Sequence, residues 1–396
     1  MPNQQLENNE GHADSIFGAA TYEASKPQKK EFLAWHKPRK QFVRHHQWRT
    51  QIEALLETFQ PDGNLLKYFG LPGVDLLDLR YFHSHICDPK QLRLRFLGFN
   101  SGANPKSEMQ TELNISIDEV RKLSTIDPLS EVIWDDFCLV ANENSKAWSK
   151  AKALGPYDVI NLDLCDGFGS HAPGVLDNTH YNAVQRLFSL QAKNRNPWLL
   201  FLTTRTGKQD IHADVLLLFL NKYVENLANC AAFREASTDQ LAIADEAALK
   251  IAAETPNGHL AIFLVGLCKW MIGLAVAQQP PSRVEVKSVI GYRIDANTEH
   301  DDLVSLALKF EPTFTPVNDP MGLANLPLNL PNECDLSTKA LKRLQKHKCA
   351  DEILAADAAL HAEMITATAS LLVSARYDEI AYREWAASSQ LGDHVL

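Results

Sequence analysis

The chain has 396 residues, of which 45% are hydrophobic and 22% are charged, and its formal net charge is −10. This length predicts two or three compact units, and the ordinary apolar fraction excludes fibrous, collagen-like and wholly disordered proteins. The negative net charge excludes a protein that is basic over its whole surface, although it leaves room for a local basic patch.

The beginning of the chain differs in charge from the rest. Residues 1–25 are polar, contain no Lys or Arg, and predict a mobile tail. Residues 26–62 predict a basic, aromatic arm followed by a helix at about 47–59. Eight basic and five acidic residues give the first fifty residues a charge of +3, which leaves −13 on the remainder. The charge of the chain is therefore polarised.

Basic and aromatic residues are interleaved along residues 26–49. Lysine and arginine neutralise phosphates, and aromatic rings stack on bases, so this composition is typical of a nucleic-acid surface. That surface would be formed by Lys29, Lys30, Trp35, Lys37, Arg39, Lys40, Arg44 and Trp48. The alternative is that the arm packs on the acidic body of the same chain. Pro27 and Pro38 predict an ordered extended strap rather than a single helix.

Short apolar runs alternate with helical stretches between residues 63 and 312, which predicts an α/β core. The predicted strands are 74–82, 92–99, 131–137, 158–164 and 198–204. The predicted helices are 117–123, 178–190, 213–229, 238–254 and 260–277. The near-continuous apolar runs of the fourth and fifth strands favour parallel strands that are covered on both faces.

A pair of strands closes the predicted core. Residues 284–294 and 303–310 are joined by a short polar turn, which predicts an antiparallel hairpin. The apolar helix at 260–277 has Lys269 at its centre, so we expect it to be buried in the protein rather than in a membrane. Residues 313–333 predict a proline-rich linker, and residues 334–396 predict a helical segment available to protein partners.

This order of elements resembles that of the Rossmann-like (class I) S-adenosylmethionine-dependent methyltransferases. The resemblance covers about 245 residues and implies a mostly parallel sheet with a closing antiparallel hairpin. In that family the first strand ends in an acid and a glycine-rich turn beside the cofactor. The segment aligned there is LLDLRYFHSH, in which Asp78 matches the acid. Arg80 and Phe82 stand where the family has glycines, so the cofactor loop is missing in this alignment.

The resemblance also implies which residues form the site, because ligands bind beyond the carboxyl ends of parallel strands. The implied cofactor is S-adenosylmethionine, and no metal is expected. Its ligands would be Asp78, Arg80, Asn100, Asp135 and Asp136. Asp163 and Asp166, after the fourth strand, would orient the methyl acceptor.

Three functions follow from these features. The favoured one is a methyltransferase-like protein that acts on, or binds, nucleic acid. The missing cofactor loop supports an alternative, in which the chain is a pseudoenzyme and a silent subunit of a larger assembly. The second alternative is a metal-dependent hydrolase, because His83, His85 and Cys87 would share one face if the segment were extended.

The cysteine pattern bears on the compartment. Seven cysteines are scattered without any CxxC pair, which predicts reduced thiols. The N-terminus lacks the pattern of a signal peptide. We therefore expect a cytoplasmic protein.

Overall fold

The computed structural model describes residues 29, 31–101, 108–164, 167–294, 301–314, 319–324, 326–327 and 329–392. Within these ranges, a single eight-stranded sheet lies between helices on both sides. Its strands are β1 (Leu65–Gly70), β2 (Arg93–Phe99), β3 (Glu131–Ile133), β4 (Val159–Asp163), β5 (Trp198–Arg205), β6 (Ser282–Tyr292), β7 (Leu303–Pro312) and β8 (Lys348–Cys349).

The strand order confirms the predicted fold class. The order across the sheet is β3-β2-β1-β4-β5-β7-β6-β8. Strands β1 to β5 are parallel, whereas β7 runs antiparallel to both β5 and β6. This is a Rossmann-like, methyltransferase-type sheet with a closing antiparallel hairpin. Strands β2 and β3 lie on one side of β1, and strands β4 and β5 lie on the other, so the strand order reverses at β1. Such a reversal places a crevice at the carboxyl ends of the neighbouring strands.

Helices cover both faces of this sheet and also lie beyond its ends. The first three are α1 (Pro38–Val43), α2 (Thr50–Leu56) and α3 (Leu77–Phe82). Those of the middle of the chain are α4 (Glu108–Arg121), α5 (Lys146–Leu154), α6 (His180–Gln191), α7 (Ala213–Asn229), α8 (Ala231–Leu241), α9 (Glu246–Glu254) and α10 (Pro256–Val276). The last four are α11 (Glu333–Leu344), α12 (Ala350–Ala356), α13 (Ala358–Val373) and α14 (Glu379–Gly392).

Alternating side chains of the strands fill two cores, one on each face. In β5, Trp198 and Leu200 belong to one buried cluster, and Leu199 and Phe201 belong to the other. This alternation is the expected consequence of the strand pleat when both faces are covered. The continuous apolar run that predicted a doubly covered fifth strand is therefore interpreted correctly.

The predicted first strand is wrong. Residues 74–82 do not form a strand, because the chain turns after Gly70 and residues Leu77–Phe82 form α3. The first strand is Leu65–Gly70, about nine residues earlier. All six residues of α3 are buried. The charged residues Asp78 and Arg80 alternate with apolar ones in the sequence LDLRYF, and alternation is the pattern of a strand, so it does not reveal a helix this short.

The segment that suggested a metal site is helical, so its three side chains do not share one face. Residues His83–Cys87 form a π-helical turn. His83 Nδ1 lies 2.7 Å from Thr125 Oγ1, and the His85 ring stacks on Tyr81 at 4.2 Å between centroids. Cys87 is fully buried. The geometry on which the hydrolase alternative depended is therefore absent.

The basic arm is helical from Pro38 onward, not an extended strap. Pro38 occupies the first turn of α1, where a proline costs no helical hydrogen bond. A π-helical stretch, Arg44–Arg49, joins α1 to α2. Phe42 and Trp48 are buried in the same cluster as Tyr68 of β1. The arm therefore forms part of the core on that face of the sheet.

Two further expectations have different outcomes. Within the described residues, α10 is the one helix long and apolar enough to cross a membrane, and 67% of its most apolar window is buried inside the fold. That agrees with the predicted buried helix.

The expectation of seven free thiols is wrong, because Cys230, before α8, forms a disulfide with Cys334 of α11. Their sequence separation of 104 residues gave no sign of the pairing.

Candidate functional site

A cavity of about 530 Å³ opens at the carboxyl ends of β1, β2, β3 and β4. Its floor is the turn that follows β1, and its opposite wall is the basic arm, through Trp35, Lys40 and Arg44. Five of the seven residues predicted for the cofactor and catalytic site line it. They are Asp78, Asn100, Asp135, Asp136 and Asp163.

Glycines shape the floor of this cavity. The turn after β1 reads Gly70-Leu71-Pro72-Gly73, so a glycine turn exists in the place where the sequence alignment left it missing. A Cβ on Gly73 would meet no atom within 4 Å, which leaves the turn open toward the cavity. A Cβ on Gly98 of β2 would lie 2.8 Å from Pro72 Cγ, so only glycine lets the turn rest on β2.

Asn100 fixes that turn from the neighbouring strand. It follows β2, and its Nδ2 donates a hydrogen bond of 2.9 Å to the carbonyl oxygen of Pro72. This contact identifies a positioning role for the amide.

Asp78 lies in the cavity wall, although the strand that was predicted to carry it does not exist. It belongs to the first turn of α3 and accepts a hydrogen bond of 2.7 Å from Arg44 Nε. Both side chains are buried. Among the described residues, no acceptor lies within hydrogen-bond distance of Arg44 Nη1. The Nη1 group of Arg44 can therefore still donate a hydrogen bond to a ligand in the cavity.

Asp163, the last residue of β4, pairs with a lysine of the arm. Lys40 Nζ lies 2.7 Å from Asp163 Oδ1 and 3.3 Å from the Tyr292 hydroxyl. It also lies 4.8 Å from the centre of the Trp48 ring. Burial would lower the pKa of Lys40, but the charge of Asp163 and smaller contributions from Tyr292 and Asp78 raise it above its usual value. Lys40 is therefore charged at neutral pH.

Asp135 and Asp136 follow β3 at the cavity rim. Asp135 Oδ1 accepts a hydrogen bond from the Asp136 backbone nitrogen, and Asp136 Oδ1 accepts one from Cys138. Within the part of the chain that the structure describes, neither carboxylate forms a salt bridge. Both residues line the cavity.

Two predicted site residues are not found in this cavity. Arg80 lies on α3, where its Nη2 donates to Glu119 Oε2 at 2.6 Å and its Nε to the Asp75 carbonyl oxygen at 3.0 Å. These contacts hold Arg80 against Asp75 and Glu119, and it does not line the cavity. Asp166 lies outside the described residues.

The residues predicted to contact nucleic acid are mostly engaged within the protein. Lys29 pairs with Asp75, and Arg39 Nε lies 2.9 Å from Asp351. Lys40, Arg44 and Trp48 are buried, as described above. These five side chains do not form the solvent-facing strip that a nucleic-acid surface requires. They follow the alternative expectation, in which the arm packs on the acidic body.

The remaining three arm residues have different environments. Trp35 is 45% exposed and lies at the mouth of the cavity. Lys37 is half-buried, and Lys30 lies outside the described residues.

Sequence reasoning missed several residues of the cavity. His171 and His180 pack edge to face at 5.1 Å between centroids, and Met109 is 48% exposed at the mouth. Isolated histidines and a methionine on a helix carry no recognisable pattern. The pair Gly70 and Gly73, by contrast, was a usable signal, because two glycines flanking a proline after an apolar run predict a turn.

Asp75 anchors the cavity floor to distant parts of the chain. Lys29 Nζ and the Tyr377 hydroxyl both donate to its carboxylate, the latter at 3.1 Å, and His36 Nε2 lies 3.5 Å away. Burial opposes ionisation of Asp75, but the nearby His36 ring and the charge of Lys29 lower its pKa to about 2. The turn below the cavity is thereby anchored to the arm and to Tyr377, which precedes α14.

Comparison with known proteins gives a family but no activity. No curated protein matches the chain. One similar solved structure is described as a putative class I S-adenosylmethionine-dependent methyltransferase from Listeria monocytogenes. It is 9% identical, with 80% of this chain and 73% of that chain covered, at a TM-score of 0.36. That likeness is too low to support an activity, and the fold assignment rests on the strand order. The family model described as PP_RS20740-like matches residues 29–387, so the chain belongs to the PP_RS20740-like family.

Proposed function

We propose that the chain binds S-adenosylmethionine in the cavity beyond β1, β2 and β4 and transfers its methyl group to an acceptor. The observation that carries this proposal is the open glycine turn, Gly70 to Gly73, at the position where the strand order reverses. In sheets of this type, that position is where ligands bind.

The size of the cavity suits such a ligand. Its volume of about 530 Å³ falls in the usual range for pockets that hold small molecules and cofactors, roughly 300–1,000 Å³. Apolar side chains such as Phe99 and Phe137 line it together with the carboxylates. A flat, partly apolar ligand with a few polar groups therefore fits the wall.

The charge of the cavity also favours this cofactor. Asp78 is neutralised by Arg44 and Asp163 by Lys40, whereas Asp135 and Asp136 have no cationic partner among the described residues. The wall thus retains negative charge, and S-adenosylmethionine carries a cationic sulfonium and an ammonium group. Asp135 and Asp136 would accept hydrogen bonds from its ribose or adenine.

Asp163 would hold the acceptor beside the cofactor. When bound, S-adenosylmethionine supplies an electrophilic methyl carbon. Lys40 fixes one oxygen of the Asp163 carboxylate, while the side chain remains 24% exposed at the cavity. An ionised carboxylate in this position can accept a hydrogen bond from an N–H or O–H of the acceptor and orient it.

Titration calorimetry with S-adenosylmethionine tests the proposal. We expect one site per chain, and we expect the double substitution D135N/D136N to weaken binding at least tenfold. D335N, which removes an exposed carboxylate of α11 outside the cavity, is the control and should leave affinity unchanged. No binding at millimolar cofactor would contradict the proposal and favour the silent subunit.

For the acceptor, we propose that nucleic acid be tested first. This choice is supported by the basic composition of residues 26–49 and by Trp35, the ring of which is exposed at the cavity mouth and could stack on a base. Transfer of labelled methyl groups from S-adenosylmethionine to RNA, DNA and a small-molecule extract separates the classes. Label in the small-molecule fraction alone would exclude nucleic acid as the acceptor.

A further inference from the structure

A second group of ligand-type side chains lies at the β8 edge of the sheet, and none of its members lines the cavity. His347, Cys349 and Asp351 occupy alternate positions of the sequence HKCAD. Cys349 belongs to β8, His347 precedes this strand, and Asp351 lies in the first turn of α12. The two-residue strand ends at Cys349 and the helix begins at Ala350, and this short connection keeps Asp351 close to Cys349.

Asp301, which precedes β7, lies opposite these three residues. The Cys349 thiol donates to Asp301 Oδ1 at 3.1 Å, and His347 Nε2 lies 3.4 Å from Asp301 Oδ2. Three ligand atoms lie within 4.8 Å of one another, one each from Asp301, Cys349 and Asp351. Two segments distant in sequence therefore bring three ligand atoms together, and His347 adjoins this group through Asp301.

A glycine makes room for this arrangement. Gly291 of β6 pairs with Cys349 across the sheet. A Cβ on Gly291 would lie 1.9 Å from Asp301 Oδ2, which is not possible without moving the carboxylate. The backbone thus provides a niche that the Asp301 side chain occupies.

Two of the four groups are carboxylates. The Arg39 guanidinium lies 2.9 Å from one of them, that of Asp351. A cation at this point would contact the other, that of Asp301, which the Cys349 thiol and the His347 ring already approach.

We propose that Asp301, His347, Cys349 and Asp351 bind a zinc ion. A set of one sulfur, one nitrogen and two oxygen ligands suits zinc, whereas magnesium and calcium prefer oxygen ligands alone. With metal–ligand bonds of about 2.0–2.3 Å, tetrahedral ligands are roughly 3.5 Å apart. Separations of up to 4.8 Å reach that value through side-chain rotation. Binding converts the Cys349 thiol to a thiolate and releases its proton to solvent.

This ion would be structural, because four protein ligands close its coordination shell. It would fasten the β6–β7 hairpin to the segment between α11 and α12. Arg39 connects this site to the arm, and the adjacent Lys40 contacts Asp163 in the cavity. The proposal does not depend on methyl transfer.

The test uses the full chain, reduced under mild conditions and freed of metal with a chelator. Zinc content is measured after reconstitution, and cobalt replaces zinc for spectroscopy. We expect one equivalent of zinc, and we expect cobalt to show a thiolate charge-transfer band with the intense visible absorption of tetrahedral cobalt.

Substitutions identify the ligands. C349S should abolish the charge-transfer band, and H347Q, at a side chain that is 37% exposed, should weaken zinc binding at least tenfold without unfolding the chain. C87A, which removes a buried thiol elsewhere, is the control. Zinc binding below one tenth of an equivalent, or a charge-transfer band that survives C349S, would overturn the proposal.

Discussion

Asp158 is a buried carboxylate whose surroundings do not favour its charge. It precedes β4 and accepts a hydrogen bond of 2.8 Å from the Lys67 backbone nitrogen. Burial raises its pKa from 3.8 to about 6, and the hydrogen bond only partly opposes this shift. Because the pKa of Asp158 is higher in the folded than in the unfolded chain, its ionisation destabilises the folded protein. This loss of stability develops as the pH rises from about 4 to about 6 and is complete above pH 6.

D158N should therefore stabilise the protein at pH 8. The amide oxygen can accept the same hydrogen bond without a charge, so we expect a gain of up to about 3 kcal/mol at pH 8 and little change at pH 4. Urea unfolding at both pH values measures this. D239N, at an exposed position of α8, is the control. An equal effect of D158N at both pH values would contradict the explanation.

The pair Lys40 and Asp163 provides a second test at this scale. K40M leaves the Asp163 carboxylate without its partner, but that carboxylate is 24% exposed and can rehydrate in the cavity. We expect a loss of about 1–2 kcal/mol, below the 3–5 kcal/mol typical of a broken buried pair.

Combining K40M with D163N should recover part of this loss, because the second change removes the unpaired charge. A double-mutant cycle by urea unfolding gives the coupling free energy. Additive effects of the two substitutions would show that the pair does not couple.

Single residues of the site were predictable where they follow a strand. Asn100, Asp135, Asp136 and Asp163 were found because a polar residue after an apolar run indicates a strand end. The partners Lys40 and Arg44 were assigned to a different surface. Their contacts with Asp163 and Asp78 span 123 and 34 residues, and no local pattern encodes such a contact.

At the scale of elements, strands with turn signals at both ends were predicted well. The predictions for β2, β4, β5 and β7 lie within two residues of the observed bounds. The first strand was misplaced because apolar and charged residues alternate along α3 as they do along a strand. That one error also hid the glycine turn, since the turn was sought after residue 82 instead of after Gly70.

The glycine turn can be tested by adding one methyl group. G73A has space in the fold, so we expect an unchanged melting temperature, but the methyl group enters the cavity and should weaken S-adenosylmethionine binding at least tenfold. Calorimetry and thermal unfolding measure the two effects.

G273A is the matched control. A Cβ on Gly273 would likewise meet no atom within 4 Å, but this residue lies in α10 outside the cavity, and an alanine there should stabilise the helix slightly. Equal cofactor affinity of G73A and G273A would show that the ligand does not approach the turn.

At the scale of the whole molecule, Asp75 joins three parts of the chain. Lys29 and His36 come from the beginning, Tyr377 from near the end, and Asp75 itself from the turn below the cavity. The domain boundaries predicted from composition remain predictions. Side chains of the arm and of α13 nevertheless belong to the same buried cluster as those of β1.

D75N should therefore destabilise the protein in a pH-dependent way. The folded pKa of about 2 lies below the unfolded value of 3.8, so the stabilisation is fully present above about pH 4 and is lost as the pH falls toward 2. We expect D75N to cost at least about 2 kcal/mol at pH 7 and little at pH 2.

Y377F, which removes one hydrogen bond to the same carboxylate, should cost about 1–2 kcal/mol at pH 7. Urea unfolding across pH measures both variants. A cost of D75N that stays constant down to pH 2 would contradict this account.

The docking of the arm against the last helices sets an order of events during synthesis. The Tyr382 hydroxyl donates to the His36 carbonyl oxygen across 346 residues. At about 5–20 residues per second, the ribosome takes roughly 17–70 s to reach Tyr382 after His36 has been made. Throughout this interval the arm lacks part of its final packing, because α1 packs against α13. The arm therefore completes its packing only after residues as far as Tyr382 have been made.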